Sequence, residues 1–246
     1  MIHYIIIIPA RYASTRLPGK PLADIGGKPM IQHVVENTKL TTAATVVVAS
    51  DDERVKACVE GFGGVCVMTD ANHTSGTDRI AEVVDKLLLD DQQIIVNIQG
   101  DEPDMPASLV EQISQGFNAA PDAKIVTACA PLDNSEQLHD PNCVKVVRDK
   151  DDSALYFSRA PIAFPRSNDG NHSARRHIGI YGYRAGTIRE FSARAPCELE
   201  QTESLEQLRT LWHGEKIYCP DACATPGPGI DTPEDLALAR EKLAKA

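Results

Sequence analysis

Short runs of β-branched residues alternate along the first half of the chain with stretches whose apolar positions recur every three or four residues. This pattern predicts strands over 2–8, 45–49, 65–68 and 94–98, and helices over 31–40, 52–62 and 78–89. The strands are apolar without alternation, as strands buried on both faces are, so the N-terminal half reads as a doubly wound parallel sheet with helices on both sides. At the end of the second strand, Ser50 or Asp51 is placed to cap the following helix.

A helix is predicted from just after Pro106 to about Phe117, then a strand over 125–130. Beyond it the pattern loosens. Strands are predicted over 144–147 and 154–157, and 177–184 alternates with period two, as antiparallel or mixed strands do. The turn-forming residues of 166–174 predict an exposed, mobile loop. A helix over 204–212 would carry Leu205, Leu208, Leu211 and Trp212 on one face, and the last helix starts at Thr232 with Pro233 in its first turn. The expected architecture is one α/β domain over 1–246, mainly a mixed, largely parallel sheet, whose second half adds a smaller sheet layer.

Composition narrows the partners more than the fold. The chain has 246 residues and a formal net charge of -10, which counts against a nucleic-acid backbone as partner. No apolar run approaches the roughly twenty residues that cross a bilayer. Seven scattered cysteines and no signal-peptide pattern fit a reduced, cytoplasmic protein. Cys219 and Cys223 lack a second pair at zinc-site spacing and read as ordinary thiols.

Against that acidity, the loop after the first strand gathers Arg11, Arg16 and Lys20. It is neither a Walker loop nor a dinucleotide G-x-G-x-x-G. Its small residues, including Ala10 and Ser14, let a ligand approach the backbone, and its three cations match a triphosphate. Asp101 follows the strand over 94–98 at the same predicted sheet edge, where a hard cation could bridge it to phosphate oxygens. Asp231 reads either as the cap of the last helix or as a second metal ligand. The turn Ser75-Gly-Thr-Asp-Arg79 can pack against a base. His177, Arg159 and Tyr181 flank strands of the second half and could line an acceptor pocket. No arrangement for covalent nucleophilic catalysis is present.

Taken in order, the motifs at 8–21, 27–31, 75–79, 99–103, 144–147, 154–159, 176–184, 205–209 and 231–236 resemble the 3-deoxy-D-manno-octulosonate (Kdo) cytidylyltransferase family over nearly the whole chain. The resemblance implies a Rossmann-like nucleotide-diphospho-sugar transferase fold, a homodimer, and Mg2+-dependent joining of CTP and Kdo into CMP-Kdo for lipopolysaccharide synthesis. It further implies that Arg11, Arg16 and Lys20 hold the triphosphate while Asp101 and Asp231 hold magnesium. Ala10, Ser75, Gly76 and Arg79 would read the cytidine, and Gln99, Arg159, His177, Tyr181, Glu206 and Gln207 would form the Kdo pocket, with Arg159 on the Kdo carboxylate. On this reading 1–130 mainly binds CTP, 131–220 binds acceptor and dimerises, and 221–246 supplies a metal ligand and a closing helix. Asp104 stands where the family more often has an apolar residue and is expected to add negative charge near the metal. The alternatives are transfer to 8-amino-Kdo or sialic acid, or a catalytically silent nucleotide-binding protein.

Overall fold

The computed structural model describes residues 3–14, 16–73, 75–164, 166 and 174–244. Strand β1 (Tyr4–Pro9) is followed by a small ribbon of β2 (Asp24–Ile25) and β3 (Lys28–Pro29). Helix α1 (Met30–Thr38) then leads to β4 (Thr45–Ser50), α2 (Glu53–Gly61) to β5 (Val65–Met68), and α3 (Gly76–Lys86) to β6 (Ile94–Asn97). Next come α4 (Ala107–Ala119), β7 (Ile125–Pro131), α5 (Ser135–His139), β8 (Lys145–Arg148), β9 (Ala154–Ser158) and β10 (Arg175–Arg184). The chain ends with α6 (Ala185–Ala193), α7 (Glu198–Glu203), α8 (Leu208–Trp212), β11 (Ile217–Tyr218) and α9 (Pro233–Ala244).

The main sheet runs β11-β7-β10-β6-β1-β4-β5, with β8 joined to β10 and β9 to β8. Strands β6, β1, β4 and β5 are mutually parallel. Strand β10 enters antiparallel between β6 and β7, which makes the sheet mixed; β8 and β9 extend the same nine-stranded sheet from β10, and the small separate sheet is the β2–β3 ribbon of the first half. Alternation along β1 explains the two helical covers: Ile6 and Ile8 pack with Ile31, Val55 and Ile113 of α1, α2 and α4, while Ile5 and Ile7 pack with Ile80, Val84 and Ile188 of α3 and α6.

Three local expectations need correction. The single helix over 204–212 is broken: α7 ends at Glu203, Ser204 takes the left-handed conformation at φ 53°, and α8 begins only at Leu208. Helix α2 is capped by Asp52, whose carboxylate accepts from Arg54 N at 2.9 Å. Ser50 Oγ instead accepts from Asp52 N, and Asp51 pairs with Arg79. Helix α6, absent from the sequence reading, follows β10 without a break. The loop predicted over 166–174 lies, except for its two end residues, outside the described residues.

Candidate active site

Strands β1 and β6 are parallel neighbours, so the loops that leave them depart from the same sheet edge. The β1 loop folds back through Gly19, whose N–H donates to Tyr12 O at 3.2 Å. Gly19 has φ 69°, and a Cβ there would meet the Tyr12 hydroxyl at 3.1 Å, so glycine is the residue that lets this loop close. Closure carries Lys20 into a cavity of about 390 Å³ that it shares with Ala10, Arg11, Ser14 and Arg16 of the same loop. Ser75, Gly76 and Arg79 of the α3 start, Gln99 and Asp101 after β6, Glu206, and Asp231 before α9 form its other walls.

At its charged end Lys20 Nζ donates to Asp101 Oδ2 at 2.5 Å and to Asp231 Oδ1 at 2.9 Å. Arg16 approaches the same Asp231 oxygen at 3.0 Å. Burial works against the Lys20 charge, but the two carboxylates outweigh it and raise its pKa. Both aspartates are free for this role. Thr232 caps α9, its Oγ1 accepting from Asp235 N at 3.2 Å, and α4 begins beyond Pro106 with no side-chain cap. Next to Asp101, Glu102 has a buried Oε2 without a partner, and burial, with the charges of Asp101 and Asp231, pushes its pKa up to about 8.

Two carboxylates converging on one ammonium form a site built for a cation. Among the described residues no group of three or more metal-ligating side chains occurs. A Mg2+ ion held here would therefore take its remaining ligands from phosphate and water, which suits its habit of keeping few protein ligands.

A second cavity of about 250 Å³ adjoins the first, sharing Gly76, Gln99 and Glu206 with it, and contains Tyr181 and Gln207 in its wall. Glu206 stands between the two, its Oε2 accepting from Thr77 Oγ1 at 2.7 Å, with its pKa raised by burial. Thr77 of the Ser75–Arg79 turn lines the smaller cavity as well, and Asn97 and His73, which sequence reasoning missed, also line these cavities. Asn97 lies inside an apolar strand run, where its register against Tyr181 of β10 was invisible.

Two predicted acceptor residues line neither cavity. The Arg159 guanidinium donates to three main-chain carbonyls, Glu203 at 2.7 Å, Pro141 at 2.9 Å and Ser204 at 3.4 Å, so it braces the turn that precedes Glu206 and Gln207. His177 lies edge-on to Phe157 with ring centroids 5.0 Å apart, and its Nε2 is 3.0 Å from Thr127 Oγ1. Burial draws its pKa down to about 3, so the ring is neutral. Arg79 lines the reaction cavity, yet its guanidinium is engaged by Asp51 at 2.8 Å and by Thr69. Asp104 pairs with Lys242 at 2.6 Å and lines a separate cavity beside α9, so its charge is met there.

A basic loop faces a carboxylate pair at the edge of a mixed α/β sheet, an arrangement suited to nucleotidyl transfer. A family model described as cytidylyltransferase matches residues 5–217. The 3-deoxy-manno-octulosonate cytidylyltransferase of Thioalkalivibrio sulfidiphilus is 51% identical, with 98% of each chain covered. Its counterpart from Idiomarina loihiensis is 48% identical over 97% of each. Among solved structures, CMP:2-keto-3-deoxy-manno-octonic acid synthetase complexed with CTP superposes with a TM-score of 0.92 at 44% identity, covering 99% of both chains. A 4-diphosphocytidyl-2C-methyl-D-erythritol synthase, at 14% identity and a TM-score of 0.65, shares the fold. The chain belongs to the 3-deoxy-manno-octulosonate cytidylyltransferase family.

Proposed function

We propose that this protein transfers the cytidylyl group of CTP to Kdo, releasing diphosphate and giving CMP-Kdo. The observation that carries this reading is the Arg16, Lys20, Asp101 and Asp231 cluster at one end of the cavity, supported by full-length likeness to relatives named for that reaction. The anomeric 2-hydroxyl of Kdo attacks the α-phosphorus of CTP. The new O–P bond forms as the bond to the bridging oxygen breaks, and diphosphate departs with the electron pair.

Arg11, Arg16 and Lys20 bind the triphosphate, and Lys20 with Arg16 stabilises the charge that builds on the leaving group. Ala10, Ser14, Ser75 and Gly76 receive the cytidine, with Arg79 fixing that wall through Asp51 and Thr69. Gln99, Tyr181, Glu206 and Gln207 face the acceptor. Asp101 and Asp231 would hold Mg2+, which when bound screens the acceptor carboxylate from the triphosphate and acidifies the attacking hydroxyl. No side chain is assigned as general base. The homodimer is carried over from the resemblance to the family, and seven free cysteines suit a reducing cytoplasm.

The test is to incubate the protein with CTP, Kdo and Mg2+ and to follow CMP-Kdo and diphosphate, with 8-amino-Kdo and sialic acid as competing acceptors. Kdo is expected to give product fastest. Product only from another sugar acid would replace the acceptor, and CTP binding without diphosphate would leave a nucleotide-binding protein.

A further inference from the structure

The loop that carries Arg11, Arg16 and Lys20 is held by side chains more than by its own main chain. Among the described residues of 11–18, main-chain hydrogen bonds stay inside the loop: Tyr12 O accepts from Gly19 N at 3.2 Å, Leu17 O from Lys20 N at 3.1 Å, and Ser14 Oγ from Leu17 N at 3.3 Å. Its apolar contacts with the scaffold fall at two points. Leu17 packs against the small cluster of Ile25, Met30, Ile230 and Leu236, and Tyr12 against the larger one that includes Val48 and Val55.

Tyr12 is also gripped from helix α2. The Arg54 guanidinium lies over its ring, 3.5 Å from the centroid, well within the distance at which an aromatic face attracts a cation. Asp52 sets the plane of that guanidinium. Its carboxylate accepts from Arg54 Nε at 2.9 Å and Nη2 at 2.6 Å while also capping α2, so the fork is oriented by a residue fixed at a helix terminus. The hydroxyl edge of the ring rests against Gly19, where an added Cβ would stand 3.2 Å from Tyr12 Cζ. Lys20 comes next in the chain. Neither Tyr12 nor Arg54 lines the reaction cavity, and the Asp52 charge offsets that of Arg54, so the pair acts on the loop and not on a phosphate.

We propose that Arg54 is a positioning residue for the triphosphate: stacked on Tyr12 and steered by Asp52, it holds the 11–20 loop so that Arg11, Arg16 and Lys20 already face the cavity when CTP arrives. A loop ordered in advance spares the nucleotide the entropy of fixing it, so the contribution belongs to CTP affinity and not to the chemical step. This assignment rests on the cytidylyl-transfer reading above. It also separates two ways in which an arginine near a phosphate site can act. A charge acting through space weakens with salt, whereas a stacked guanidinium that shapes a loop needs the ring beneath it.

The experiment compares wild-type protein with Arg54→Ala, Tyr12→Leu and the double variant, and with Lys56→Ala, which removes a cation of the same helix that faces Glu53 at 3.8 Å instead. Arg54→Ala is expected to raise the CTP KM about three- to fivefold, the worth of one exposed cation–π contact, with kcat and the Kdo KM unchanged. The ratio should persist at about 0.5 M KCl, where a through-space charge is largely screened. In the Tyr12→Leu background Arg54→Ala should add nothing, because the ring it acts through is gone. Loop order has its own readout without substrates: trypsin cleavage of the Arg16–Leu17 bond, followed by mass spectrometry, should speed up by a similar factor in Arg54→Ala and not in Lys56→Ala. An unchanged CTP KM, an equal rise in the Tyr12→Leu background, a ratio that vanishes with salt, or unchanged cleavage each overturns the assignment. A lowered melting temperature with unchanged CTP KM would make the pair a support for α2 alone and overturn it equally. Failure of wild-type protein to make CMP-Kdo would overturn the underlying reading while trypsin still reports on the loop, so the two failures are distinguishable.

Discussion

Asp101 and Asp231 hold their positions by different local means, and each is spared from capping by a neighbour. Thr232 takes the cap of α9, while Pro103 and Pro106 separate Asp101 from α4. Asp101→Asn keeps the shape of the side chain and removes its charge, so turnover should fall at least about a hundredfold with the thermal melt unchanged. Near-normal turnover at saturating Mg2+ would remove Asp101 from the mechanism. Lys20 offers a complementary test, because its ammonium now neutralises both carboxylates. Lys20→Met leaves Asp101 without its ammonium and Asp231 with Arg16 alone, and the free protein should then bind Mn2+ at least about tenfold more tightly, as read by electron paramagnetic resonance. Equal Mn2+ affinity would show that the ammonium does not compete for that position. Much of this cluster was legible in the sequence, because each member follows a strand or precedes a helix in a motif with local punctuation. The surroundings of Arg159 were not legible for the opposite reason: its guanidinium meets the carbonyls of Pro141, Glu203 and Ser204, which only the folded chain brings to it.

At the scale of elements, α4 shows how close packing overrides propensity. It lies against β7 with Gly116 directly over Val126, and a Cβ at Gly116 would come within 2.5 Å of Val126 Cγ1. An alanine gains up to about 1 kcal/mol of helix propensity, but forcing a methyl into a filled interface costs about 1–3 kcal/mol. Gly116→Ala should therefore lose about 1 kcal/mol in urea unfolding at unchanged m-value. A gain in stability would mean that the helix can shift off the sheet. The same contest decides which elements could be read in advance. The α1, α2 and α3 segments carry an apolar stripe between clear turns, and their predicted bounds fall close to the observed ones. Helix α6 gave no start signal, since it follows β10 with no side-chain cap and has Gly186 in its first turn. The break between α7 and α8 was hidden because Leu205, Leu208 and Leu211 keep a helical spacing across it. Ser204 turns the chain there, and Arg159 holds the turn.

For the whole molecule, the decisive arrangement is the insertion of β10 against the direction of β6 and β7, which no local pattern reveals. That insertion buries His177 among Phe157, Tyr181 and Thr127, and it gives the fold an acid limit. In the unfolded chain His177 takes a proton near its ordinary pKa of 6.5, whereas in the folded protein burial postpones this to about 3. The unfolded state thus binds more protons between those values, and stability falls as pH drops from 6.5 toward 3. Glu82 adds to the fall at a lower pH. Burial opposes its ionisation, but hydrogen bonds from Lys86, the Asp70 N–H and His73 prevail and hold its pKa down to about 2, so its contribution is lost as pH drops from 4.5. At pH 4 the His177 contribution alone amounts to up to about 3 kcal/mol, at 1.36 kcal/mol per pKa unit. Replacing the imidazole by a side chain that does not titrate, His177→Gln, should therefore shrink the difference in unfolding free energy between pH 7 and pH 4 by about that amount, even if it lowers stability at both. Chemical denaturation of both proteins at the two pH values measures it. An unchanged difference would mean that the folded protein admits the proton at His177, and with it water, into the core beside Phe157 and Thr127.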